Sequence, residues 1–133
     1  MGHEFLAGET VLAFDLETTG ISTNNDRIVQ IALLGSDSSG NAVHYEALIN
    51  PRRTIPLGAS EVHGIFDSDV KGLADFTKRA EEIHDLIENS VIIGHNVRKF
   101  DMPLLENEFR RVGRLPPKPK AMLDTLEIVR RVK

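Results

Sequence analysis

The chain has 133 residues, 41% of them hydrophobic and 27% charged, with a formal net charge of −4. These values describe one globular domain and exclude a disordered tail or a fibrous repeat. With no Cys, disulfides, thiolate metal sites and thiol catalysis are excluded. No apolar run approaches the roughly 18 residues of a membrane span, and the N-terminus does not read as a signal peptide, so a cytoplasmic setting without membrane contact is expected. Residues 1–97 carry a balance of −9 and residues 98–133 a balance of +5. A basic C-terminal third fits a polyanion partner, and it fits a solvated helix face as well.

Residues 1–9 read as a leader or expression remnant, and residues 10–133 as the domain. Val11 to Glu17 forms a strand that stops at Gly20, and Arg27 to Leu34 a second. Gly35 to Gly40 is a hairpin loop rich in Ser, Asp and Gly. Val43 to Ile49 is a third strand, stopped by Asn50-Pro51. Three strands joined by short turns suggest an antiparallel meander. The stripe Phe76, Ala80, Ile83, Ile87 predicts a helix over 73–89. Val91 to Gly94 is a short apolar strand of the doubly covered kind. Pro103 opens a helix with stripe Leu104, Leu105, Phe109, Val112, ended by Gly113. Ala121 to Asp124 is the last strand and Leu126 to Val132 the last helix. The order βββαβαβα predicts an α/β fold with a mixed sheet flanked by helices.

Asp15 and Glu17, two apart on a strand, share one face near its C-terminal end. Two such carboxylates repel unless a cation lies between them, and hard oxygen donors select Mg²⁺ or Mn²⁺. A surface pair on a half-exposed strand is the plainer alternative. Thr18-Thr19-Gly20 adds hydroxyls and a turn whose N–H groups could meet a phosphate. Asp101 follows the apolar strand and opens a helix. It converges with Asp15 and Glu17 if strands 91–94 and 11–17 are parallel neighbours, and otherwise caps its own helix.

Phe14-Asp15-Leu16-Glu17-Thr18-Thr19-Gly20 resembles the first motif of the DEDD superfamily of 3′–5′ exonucleases, and Gly94-His95-Asn96 through Phe100-Asp101 resembles the second. Ile49-Asn50-Pro51, Val62-His63-Gly64-Ile65 and Asp124-Thr125-Leu126 resemble segments of the DEDDh, proofreading-subunit branch. The resemblance implies a ribonuclease H-like, five-stranded sheet of order 3-2-1-4-5. It implies Asp15, Glu17 and Asp101 as catalytic metal ligands for two Mg²⁺ or Mn²⁺ ions. Leu16, Thr18, Thr19, Gly20, His63 and Asn96 become substrate-binding residues. The implied reaction removes nucleotides from the 3′ end of single-stranded DNA, or of RNA, in proofreading or repair, with a DNA polymerase or helicase as partner. A catalytically silent nucleic-acid- or protein-binding module of the same fold is the alternative.

Two departures from the family pattern carry expectations. Four residues rather than three separate Asn96 from Asp101, which predicts a small bulge exposing Arg98 and Lys99. The third motif, a His and a fourth Asp, does not occur, so the domain is expected to be C-terminally shortened and slow to cleave. A bare sheet face and a homodimer are expected from the same shortening. Asp124 is expected to be structural, as is His95.

Overall fold

A computed structural model describes residues 8–132. The strands are β1 (Val11–Thr18), β2 (Ile28–Ser36), β3 (Ala42–Leu48), β4 (Val91–Gly94) and β5 (Ala121–Asp124). They form one sheet of order β3-β2-β1-β4-β5, the order expected. β1, β2 and β3 are an antiparallel meander, and β4 and β5 run parallel to β1.

The helices are α1 (Leu57–His63), α2 (Asp67–Val70), α3 (Phe76–Ile87), α4 (Met102–Arg111) and α5 (Thr125–Val132). Sequence periodicity does not foresee α1 and α2, which are too short to display a helical stripe. It also starts α3 three residues early: Asp75 caps that helix, accepting the Thr77 N–H at 3.1 Å. Residues 1–7, most of the expected leader, lie outside the described residues. Glu9 and Thr10 already belong to the fold, since Lys120 Nζ donates to Glu9 and Val91 N–H donates to the Thr10 carbonyl.

Period-two alternation sends Leu12, Phe14 and Leu16 to one face of β1, where Ile31, Leu33 and Ile92 join them. α3 and α4 close that face with Phe76, Ala80, Ile83, Leu104, Leu105 and Phe109. The Phe76 and Phe109 rings meet edge to face, with centroids 5.0 Å apart. On the opposite face, α1 and α2 bury Val29, Ile55, Ile65 and Val70. Farther along that face an in-register row Leu34–Ala13–Ile93–Leu123 crosses four strands. Leu34 and Leu123 in this row are 40% and 43% exposed.

Two features of β1 place the site. Its pairing with β4 spans only Val11 to Ala13, so the rest of β1 projects past its parallel neighbour. Its pairing with β2 shifts register between Glu17 and Thr18, a bulge of the kind that re-aims side chains next to active sites. Gly94 lets β4 approach closely, because a Cβ there would stand 2.9 Å from the Phe14 carbonyl oxygen.

Candidate active site

Asp15 and Glu17 lie on the β1 face opposite Phe14 and Leu16, as their spacing predicts. Asp15 is exposed and Glu17 half-buried. Between them in sequence, the Leu16 N–H is left without a partner from β4, and Asp101 Oδ2 accepts it at 3.1 Å. Asp101 makes no capping bond to its own helix. Its carboxylate is instead delivered across 85 positions of sequence to the β1 segment holding the other two acids.

The segment before Asp101 is a π-helical turn, Val97–Asp101. The extra residue between Asn96 and Asp101 is absorbed there, as single-turn π-bulges do at functional sites. Arg98 and Lys99 are exposed in this turn. Arg98 is committed locally, donating to the Met122 carbonyl at 2.6 Å and standing 3.6 Å from Glu127. Asp124 anchors the turn by accepting the N–H groups of Asn96, Arg98 and Leu126 at 2.9, 3.1 and 3.0 Å. Burial raises the Asp124 pKa, and the N–H groups of Arg98, Asn96 and Leu126 more than reverse this, leaving it below the usual carboxylate range. Its carboxylate is thus spent on the backbone, a structural role as expected.

Burial, and then the charge of Asp15, push Asp101 up to about 7, while the Leu16 N–H opposes them. Burial and Asp15 also raise Glu17, and His63 lowers it. The donor set suits a hard divalent cation: oxygen ligands only, and negative charge held at a cost. In this conformation, however, no three His, Cys, Asp or Glu among the described residues stand close enough together to grip an ion.

The substrate-side residues are more engaged with the protein than the sequence implies. His63 Nδ1 accepts the Ile65 N–H at 3.1 Å, which leaves the proton on Nε2, 3.1 Å from the Thr18 carbonyl oxygen. The imidazole therefore pins the end of α1 to the end of β1. The Thr18 hydroxyl donates to the Gly20 carbonyl at 2.7 Å. Thr19, 2% exposed, donates to Asp26 Oδ1 at 2.7 Å. Neither hydroxyl is free. Gly20 is needed for close approach, since a Cβ there would meet Asp26 Oδ2 at 2.6 Å. Asn96 takes a left-handed backbone, φ 58°, at the start of the π turn. His95 is exposed, with Nδ1 3.0 Å from Thr125 Oγ1.

Two acids escaped the sequence reading. Asp26 organises the turn after β1, accepting the Thr19 hydroxyl and the Ser22 N–H. Glu108, 4% exposed, accepts the Ile28 N–H at 2.8 Å and pairs with Arg111 at 2.9 Å. Glu108 falls four residues after Leu104, on the buried stripe of α4, and an acid at such a position is a legible signal. Asp26 lies in an irregular loop with no periodicity to mark it.

The profile of the exonuclease family RNase_T matches residues 12–133. PolC-type DNA polymerase III of Streptococcus suis is 30% identical over 125 residues, and that of Bacillus subtilis 28% identical over 128. The matches take in 94% and 96% of this chain, and only 8% and 9% of those polymerases. Among solved structures, E. coli exonuclease I in complex with a dA13 oligonucleotide superposes with a TM-score of 0.79 at 25% identity. That match covers 92% of this chain and 29% of the other. An exonuclease I complex with the SSB C-terminus superposes with a TM-score of 0.76.

Proposed function

The chain belongs to the RNase_T exonuclease family, with the DEDD-type motifs and ribonuclease H-like sheet of that family, and from this premise we propose that it is a 3′–5′ exonuclease domain acting on single-stranded DNA. The observation that carries the reading is the hydrogen bond from the Leu16 N–H to Asp101, which ties a third carboxylate to the backbone between Asp15 and Glu17. The nature of the PolC-type and exonuclease I relatives supports DNA as substrate and a replication polymerase as partner.

Asp15, Glu17 and Asp101 would hold the divalent ions. When bound, such ions polarise the scissile phosphodiester, supply a nucleophilic water and steady the leaving 3′-oxygen. Asp101, fixed by the Leu16 N–H, is the rigid member of the set. Asp15 is the most solvent-exposed of the three. His63 and the Thr18–Gly20 turn shape the floor on which the terminal nucleotide rests, and the exposed Ile21 offers it an apolar edge. Both nitrogens of His63 are occupied. A positioned general base is worth roughly 10²–10⁴-fold, and His63 in this arrangement does not supply it.

The test is incubation of a 5′-labelled single-stranded oligonucleotide with Mn²⁺. Stepwise shortening from the 3′ end, abolished by Asp15→Asn, supports the reading. Oligonucleotide binding with no shortening favours the second reading, a silent binding module, to which the engaged His63 lends support. Neither binding nor shortening refutes both.

A further inference from the structure

Apart from the three acids, the residues enclose a cavity of about 380 Å³ between the entry to β2, the segment after β3, the start of α3 and the end of α4. Ile49, Phe76 and Val112 give it an apolar lining, and Arg27, Arg52 and Arg111 give it positive charge. Two carboxylates also line it, and both are engaged. Glu108 accepts from Ile28 N–H and Arg111. Asp75 accepts the Thr77 N–H at 3.1 Å and the Arg52 Nε–H at 3.3 Å.

Arg27 is left over. Its Nε is buried and has no hydrogen-bond partner among the described residues. Burial and the neighbouring Arg111 pull its pKa below the usual guanidinium range, with Glu108 opposing and Arg53 adding to the effect. Arg27 is only partly buried as a residue, so its guanidinium can still meet an anion in the pocket while Nε itself stays unpartnered. Arg52 sits in left-handed backbone, φ 58°, held by its N–H on Asn50 Oδ1 at 2.9 Å. Such strain in a residue other than Gly persists where the surroundings enforce it.

We propose that this cavity binds the phosphate group of a nucleotide, with Arg27 and Arg52 on the phosphate oxygens and the nucleoside against Ile49, Phe76 and Val112. The forked guanidinium donors match phosphate geometry, and the volume is that of a small-ligand pocket. The site shares no residue with Asp15, Glu17 and Asp101. Arg27 joins it to the turn after β1, its N–H donating to the Thr19 hydroxyl and its carbonyl accepting the Thr19 N–H, each at 3.0 Å. Only the choice of a nucleotide as the phosphate ligand rests on the exonuclease reading.

Calorimetric titration in EDTA at low ionic strength tests the proposal independently of hydrolysis, so a failure here is separable from a failure of the nuclease reading. The probes are 5′-dAMP, inorganic phosphate and a short oligothymidylate. Binding of 5′-dAMP, weakened about tenfold by Arg27→Gln, identifies the monoester of a free nucleotide. Binding of the oligothymidylate alone, with the same loss, identifies the diester of a bound strand, and equal binding of phosphate and 5′-dAMP overturns the seating of the nucleoside against Ile49, Phe76 and Val112. Arg52→Gln, at an exposed position, weakens binding in the same direction and guards against misfolding of the first variant. No binding of any probe at millimolar concentration, or binding that neither substitution changes, overturns the proposal.

Discussion

Asp101 Oδ2 accepts the Leu16 N–H at 3.1 Å, so a buried carboxylate from the end of the π turn is tied to the strand residue flanked by Asp15 and Glu17. The bond fixes where the acid points, while burial and Asp15 make its charge expensive. An Asn at this position keeps the acceptor and discards the charge. Asp101→Asn should therefore stabilise the metal-free protein by roughly 1–3 kcal/mol at pH 8, while weakening divalent-cation binding at least tenfold. Urea unfolding in EDTA, paired with Mn²⁺ titration, checks both halves.

The same group sets a pH dependence. Asp101 has a pKa of about 7 in the fold against an ordinary 3.8, so at intermediate pH the folded protein holds a proton that the unfolded chain has released. The penalty is absent below about pH 4, grows as pH rises, and is complete above about 7. Glu17, also raised, adds in the same direction. In EDTA the wild type should lose roughly 2–4 kcal/mol from this source between pH 4 and 8, and Asp101→Asn should lose less. Cation affinity runs the other way and falls as pH drops through 7, because proton and metal compete for the same oxygens. Unfolding and Mn²⁺ titrations at pH 5, 6.5 and 8 measure both trends.

Glu108 supports β2 from α4 rather than serving the chemistry. Glu108→Ala leaves the Ile28 N–H buried without an acceptor and Arg111 without its partner. The expected loss is about 2–4 kcal/mol, and about 1 kcal/mol for Glu108→Gln, which can still accept from Ile28. Thermal unfolding of the two variants distinguishes them.

Gly20→Ala places a methyl carbon 2.6 Å from Asp26 Oδ2. Asp26 must move, releasing Thr19 and Ser22. A cost of about 1–3 kcal/mol is expected, with amide shifts at Thr19 and Ser22 in a heteronuclear NMR spectrum.

How far the site can be read from the chain varies residue by residue. Asp15 and Glu17 follow from period-two alternation, and the structure keeps them on one face. The convergence of Asp101 is conditional on topology, since only parallel pairing of β1 with β4 brings it there. The extra residue before Asp101 is visible as a spacing, whereas its resolution into a π turn depends on the Asn96 and Arg98 N–H groups finding Asp124. α1 and α2, at seven and four residues, carry too few apolar positions to show a period. The inward turn of the Thr18 and Thr19 hydroxyls is likewise hidden, because it depends on Gly20 and Asp26 closing a loop that no repeat announces.

The central claim is that Asp15, Glu17 and Asp101 jointly trap a divalent ion. Calorimetric titration of Mn²⁺ into the wild type and Asp15→Asn at pH 8 tests it most directly. The account predicts saturable binding by the wild type and at least a tenfold loss in the variant. Superimposable isotherms would contradict it.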